Sequence, residues 1–178
     1  MSITVYHVVT ERPMALGQRV IMDENHPNGV CRRVRTWEAM SRGEDGGELA
    51  ALIASNPARW AQVARRELAL EKVRLERFPH LPSRLHCLYA SHSLDEARSW
   101  AGFFKKSGRK VYSIVLLEVD GAVFDGDACN CFDGAGDETD LENALRYWQV
   151  APTEKPVIET LVSGAITVKE IIETFISE

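Results

Sequence analysis

The chain has 178 residues, enough for a single domain with a substantial core. Its 45% hydrophobic and 26% charged content is that of an ordinary globular protein. A net charge of −5 argues against a dedicated duplex-DNA binder, whose footprint is basic, while leaving room for a local basic face. The first residues show no basic stretch leading into an apolar one, and no apolar run approaches the ~20 residues that span a bilayer. A cytoplasmic chain with reduced cysteines and no membrane segment is the expectation.

The first element is a short β-branched strand over residues 3–10, containing Val5-Tyr6-His7-Val8-Val9-Thr10. Pro13 and Gly17 break the pattern, and Val20-Ile21-Met22 suits a brief second strand. Residues 23–30 read as a turn or loop, and Arg42 to Gly47 as another, followed by a short helix near 48–55. Asn56-Pro57 then supplies an N-cap and a proline at the first helical position, predicting a helix to about Arg77. Its apolar face comprises Trp60, Val63, Ala64, Leu68, Leu70, Leu75 and Phe78. Glu67, Glu71 and Arg74 fall inside that face, where an unpaired polar group is costly.

Residues 84–91 read as a strand. Ser93 and Glu96 form a capping box opening a helix that ends near Gly108. Lys110 to Val119 is a further apolar strand. Residues 120–145 hold eight acidic residues and no Lys or Arg; the first half reads as a Gly/Asp-rich loop and Asp140 to about Gln149 as a helix. A strand over 156–162 follows, and Thr167 to about Ile176 reads as a last helix or helix-like turn. Strands and helices mix without regular alternation, which favours an α+β fold in one domain over 1–178.

Three of these strands each carry one chemically capable side chain: His7, Tyr89 and Glu159. A carboxylate at the head of an apolar strand has two readings. It can be a structural anchor paired with an arginine or the backbone, or it can stabilise positive charge developing on a sugar as a glycosidic bond breaks. His7 can likewise be a satisfied core residue or a ligand contact, and tyrosine is common in strands.

Taken in order, the segments resemble the three motifs of the ADP-ribosyltransferase superfamily, in its His-Tyr-Glu branch that includes diphtheria toxin and the poly-ADP-ribose polymerases. Tyr6-His7-Val8-Val9-Thr10 is similar to the first motif. Arg84-Leu85-His86-Cys87-Leu88-Tyr89-Ala90-Ser91, with the helix after it, is similar to the second. Glu159-Thr160-Leu161-Val162-Ser163-Gly164-Ala165-Ile166 is similar to the last, Glu-x-Leu-Val-x-Gly-x-Ile. The stretch Glu71-x-x-Arg74, Phe78-Pro79 and Pro82-Ser83-Arg84 also resembles an uncharacterised bacterial family near that superfamily.

The resemblance implies two small twisted antiparallel sheets forming an NAD cleft flanked by helices. NAD would serve as ADP-ribose donor, with no metal. His7 would bond the adenosine-side ribose, with Thr10 and Ser91 beside it at the cofactor. Tyr89 would stack on the nicotinamide ring, and Glu159 would be the catalytic carboxylate. Arg84, from charge and position alone, is a candidate pyrophosphate contact. The acceptor is unassigned, protein or nucleic acid or a small molecule, and an inhibitory or target protein partner fits a bacterial toxin, defence or effector role. Val157, two residues before Glu159, departs from the Glu or Gln that marks arginine-directed transferases. Rival readings are a non-catalytic nucleotide- or protein-binding module on the same fold and an NAD-dependent RNA 2′-phosphotransferase.

Three other features read as structure. Glu71 and Arg74, three apart on a helix, suit an ion pair or a brace for Arg84. Asp125-Gly126-Asp127-Ala128-Cys129-Asn130 lacks the glycine a calcium loop needs at its sixth position. Cys129-Asn130-Cys131 has no second Cys/His pair at zinc spacing.

Overall fold

A computed structural model describes residues 2–176. The elements, in chain order, are β1 (Ile3–Val9), β2 (Arg19–Met22), α1 (Gly29–Ser41), α2 (Ala50–Ser55), α3 (Pro57–Arg77), β3 (Leu88–Ala90), α4 (Leu94–Lys106), β4 (Ser113–Asp120), β5 (Val123–Asp127), α5 (Thr139–Trp148), β6 (Ile158–Val162) and β7 (Gly164–Thr174). The fold is α+β, with two small antiparallel sheets ordered β1-β4-β7-β2 and β3-β6-β5. The chain divides into two compact units. One comprises residues 1–26, 87–125 and 159–178, the other residues 27–86 and 126–158.

The first unit is built on the sheets. In β1 the residues Val5 and Val9 point into a core shared with Val115, Leu117 and Val119 of β4 and Ile166 and Val168 of β7. Val8 and Tyr6, on the opposite face, pack with Ala97, Ala101 and Phe104 of α4. This is period-two alternation between two buried faces. Ser93 caps α4 as expected: its hydroxyl accepts from Glu96 N–H and the Glu96 carboxylate accepts from Ser93 N–H, both at 3.2 Å.

The chain passes between the two sheets at two corners, β4 to β5 and β6 to β7, and the corners touch. A Cβ on Gly121 would lie 1.9 Å from the Ser163 carbonyl oxygen, and one on Gly164 would lie 2.5 Å from that of Asp120. Gly164 also has φ +99°, a conformation that side chains disfavour. This explains the glycine that follows Leu161-Val162-Ser163. Gly121→Ala and Gly164→Ala are each expected to destabilise the protein by more than about 2 kcal/mol in a denaturant melt, the range reached when backbone must move. Gly102→Ala, in mid-helix α4 with nothing within 4 Å of its Cβ, is expected to be neutral or stabilising by up to about 1 kcal/mol. Equal costs at all three positions would refute the corner argument.

The second unit is helical. α3 spans Pro57–Arg77 with Asn56 capping the Arg59 N–H, as its sequence predicts. Leu70 is buried, and its carbonyl accepts from Trp148 Nε1 at 2.8 Å, tying α5 to α3. The acidic run serves as local capping. Asp140 accepts from the Ala135 and Gly136 N–H groups, and Asp127 accepts from those of Cys129 and Val157.

Five readings of the sequence need correction. Residues 29–41 form a helix, α1, where Asn28-Gly29 suggested only a turn. Asn28 is its N-cap, accepting from Cys31 N–H at 3.0 Å, and Val34 and Cys31 pack on Ala64 and Leu85. Residues 123–127 form β5 within the supposed loop. Thr167 to Ile176 is no helix: residues 164–174 form β7, central in its sheet and hydrogen-bonded to both β4 and β2. The strand expected over 84–91 shrinks to Leu88–Ala90, because Ser83 turns the chain, accepting from Leu85 N–H with its hydroxyl and from His86 N–H with its carbonyl. On α3, Leu75 is 58% exposed, so the apolar face is narrower than the helical wheel suggests.

Candidate functional site

His7, Tyr89 and Glu159 come from positions far apart in sequence, and the first unit brings them onto laterally adjacent strands. β3 pairs antiparallel with β6, with Tyr89 opposite Leu161 and Ala90 opposite Thr160. The segment after β3 joins β1 through a two-way bridge: Tyr6 N–H donates to the Ser91 carbonyl and Ser91 N–H to that of Tyr6, both at 2.8 Å. The lateral order is therefore the His7 strand, the Tyr89 strand, the Glu159 strand.

Directly opposed residues of an antiparallel pair share a face, as do residues two apart. Tyr89, Leu161 and Glu159 thus project from one side of the β3-β6-β5 sheet, and the same register carried one step further sets Ser91 beside Glu159. Leu88, Ala90 and Val162 project from the other side, into the core. Glu159 is the second residue of β6 and 9% exposed, Ser91 is 4% exposed, and Tyr89 is half-buried.

His7 lies in β1 on the core-facing side, and its Nδ1 is 2.7 Å from the Tyr89 carbonyl oxygen. A carbonyl only accepts, so Nδ1 carries the proton and Nε2 keeps its lone pair. Burial lowers the His7 pKa from its ordinary value, and the Arg109 charge adds to the lowering; the Tyr89 carbonyl and the Glu11 carboxylate oppose it without prevailing. His7 is therefore a neutral imidazole with a defined tautomer and an acceptor nitrogen suited to a hydroxyl. The lowered pKa makes a stability prediction. The stabilising contribution is full above the ordinary value of 6.5 and is lost as pH falls through the lowered one. The difference in melting temperature between wild type and His7→Gln should be constant above about pH 7 and shrink on acidification below about pH 6. A gap that widens on acidification would refute the assignment.

Thr10 follows the end of β1, and its hydroxyl accepts from Arg109 Nη2 at 3.0 Å. Arg109 and Glu11, both of which act on His7, were not singled out in the sequence; the signal available was the cation pair Arg109-Lys110 directly after the helix-ending Gly108.

Arg84 belongs to the second unit and is 6% exposed. Its Nε donates to Glu67 at 2.9 Å, its Nη2 to Glu67 at 3.3 Å, and its Nη1 to the Tyr147 hydroxyl at 2.7 Å. All three nitrogens are engaged in a buried network, so the expected pyrophosphate contact is not carried forward. Glu67, not Glu71, braces Arg84. Glu71 pairs with Arg74 at 2.8 Å and accepts from the Ser83 hydroxyl, so the structural reading of that pair holds with a shifted target. Among the described residues no group of three or more His, Cys, Asp or Glu is arranged to hold a metal ion, and no helix is long and apolar enough to cross a membrane.

A family model described as a protein of unknown function (DUF2441) matches residues 5–174. The chain belongs to the DUF2441 family. The match runs from β1 through the end of β7, so every strand of the candidate site lies within the family's common region. No curated protein matches the chain.

A second polar group lies nearby in the first unit. Asp125 accepts from the buried Thr160 hydroxyl at 2.7 Å and lies 2.8 Å from His92 Nε2. Thr160 alternates with Glu159, so this group belongs to the opposite sheet face. It ties β5 to β6 and to the segment after β3.

Proposed function

We propose that this DUF2441 protein is an NAD-dependent mono-ADP-ribosyltransferase, with Glu159 as its catalytic carboxylate. The observation that carries the reading is the pairing described above: Tyr89 and Glu159 share one sheet face, and His7, which projects from the core-facing side of the adjoining strand, is bonded to the Tyr89 carbonyl. Strand pairing of this kind is not required by three unrelated motif matches.

Each residue present fits a part of NAD. The acceptor nitrogen of neutral His7 takes a hydrogen bond from the adenosine-side ribose, and Ser91 adds a hydroxyl on the neighbouring strand. The Tyr89 ring offers its negative face to the cationic nicotinamide. The Glu159 carboxylate accepts from the 2′-hydroxyl of the nicotinamide ribose. Its charge is stabilising as the bond from the sugar C1′ to the nicotinamide nitrogen breaks, with the electron pair leaving on neutral nicotinamide. The acceptor nucleophile forms the new bond to C1′ and loses its proton. Thr10, held by Arg109, keeps the end of β1 in place beside His7. The acceptor is a macromolecule or small molecule, with Val157 arguing against an arginine side chain, and the enzyme suits a bacterial toxin, defence or effector role.

The test is incubation with labelled NAD and cell lysate, alongside calorimetry with NAD alone. Label transfer or nicotinamide release that disappears in Glu159→Gln supports the reading. NAD binding without either supports the rival non-catalytic module. Absence of binding, release and transfer would sink both.

A further inference from the structure

The first unit also contains an open pocket of about 480 Å³, lined by Lys105, Arg109, Lys110, Val111, Phe175 and Ile176 together with Gly108. Among the described residues its lining brings three cations and no carboxylate together, in a chain whose net charge is −5. Lys105 comes from the last turn of α4, Arg109 and Lys110 from the link to β4, and Phe175 and Ile176 from the residues after β7. That last wall is anchored, since the Phe175 and Ile176 N–H groups both donate to the Tyr112 carbonyl, at 2.8 and 3.3 Å.

Aromatic rings orient the cations. Lys105 Nζ lies 3.3 Å from the centre of the Phe175 ring, Lys110 Nζ 4.9 Å from that of Tyr112, and the Arg109 guanidinium 4.4 Å from that of Phe104. A lysine ammonium has three donors, so one lying on a ring face can still turn an N–H toward an anion. Lysines at a helix C-terminus also complement the helix dipole, and that alone would account for Lys105. It does not account for Arg109 and Lys110, which lie beyond the helix, or for an apolar wall supplied from the far end of the chain.

We infer that this pocket binds a phosphate ester, the phosphate against Lys105, Arg109 and Lys110 and the organic part against Val111, Phe175 and Ile176. The two lysines, with the Arg109 charge beside them, neutralise a doubly charged group better than a singly charged carboxylate. Nothing in this inference depends on Glu159. The phosphate has two sources, the pyrophosphate of a dinucleotide donor or a separate phosphorylated molecule.

Calorimetric titration of the full chain with phenyl phosphate, and with phenylacetate as the carboxylate probe, tests it. Saturable binding of phenyl phosphate is expected, tighter than phenylacetate and weakened by added salt. The double variant Lys105→Ala/Lys110→Ala should weaken phenyl phosphate by about tenfold or more, as loss of charge-assisted contacts does. Lys72→Ala, which removes a lysine of α3, should leave it unchanged. Glu159→Gln should also leave it unchanged, which separates failure of this site from failure of the transferase reading. Either competition or simultaneous binding with NAD is compatible with the site, the first identifying the dinucleotide as source and the second a separate molecule. No saturable binding by the wild type, equal binding of the two probes, or the same weakening in Lys72→Ala would overturn the inference. Lys110→Glu, which puts a like charge at the exposed rim of the pocket, is a second variant should the double substitution fail to fold; it should abolish binding, and unchanged binding would refute the site.

Discussion

Glu159→Gln is expected to lower nicotinamide release and ADP-ribose transfer by about 10²–10³-fold, the cost of removing one preorganised electrostatic stabiliser. Glutamine has nearly the shape of glutamate and keeps a carbonyl acceptor for a ribose hydroxyl. NAD binding should therefore stay within about threefold, a change of well under 1.4 kcal/mol. The loss then appears in turnover, because the charge matters only once the sugar becomes cationic. Because Glu159 is 9% exposed in β6, a melt must accompany the assay. A folded Glu159→Gln protein with wild-type turnover would remove Glu159 from catalysis. An equal loss of binding and turnover would mark it as a ground-state contact only.

The largest stability effect is expected at Glu67. Its carboxylate is 1% exposed and is met by Arg84 at 2.9 Å and Arg66 at 3.0 Å, with Tyr147 closing the far side of Arg84. Burial opposes ionisation, but the charges and hydrogen bonds of Arg84 and Arg66 outweigh it and lower the Glu67 pKa from its ordinary value. Glu67→Ala leaves buried Arg84 uncompensated and should cost about 3–5 kcal/mol. Pairing it with Arg84→Met should recover part of that cost, since removing both charges is cheaper than orphaning one. The contribution of Glu67 is full above the ordinary carboxylate value of 4.5 and is lost as pH falls through the lowered one. Denaturant melts of the single and double variants at neutral pH check this. A double variant less stable than Glu67→Ala would contradict the network.

Elements with strong local signals were legible in the sequence. The Asn56-Pro57 start of α3 and the Ser93/Glu96 box of α4 appear where their caps placed them, because capping is a contact between residues three apart. β1 and β6 were legible as β-branched runs. β7 was not: its second half, Lys169-Glu170-Ile171-Ile172-Glu173, has helical spacing, and it is extended because β4 pairs along it, with β2 flanking only the first half over Gly164–Thr167. α1 was missed because the signal that caps it, Asn28-Gly29, is also a turn signal.

For the candidate site, the residue types and order of His7, Tyr89 and Glu159 could be read from the chain, together with the resemblance they form. That they occupy neighbouring strands could not, since pairing across 82 residues between His7 and Tyr89 has no local signature. Glu67 and Arg84 show the same division. The chain itself marks Glu67 as a charge within an apolar helical face and Arg84 as a lone cation near Tyr89. Only the tertiary structure shows that each answers the other, at 2.9 Å and out of water. The sequence determines which groups are costly to bury; folding decides which of them meet, because the charge and hydrogen-bonding capacity that make burial costly are satisfied only by partners brought from distant segments.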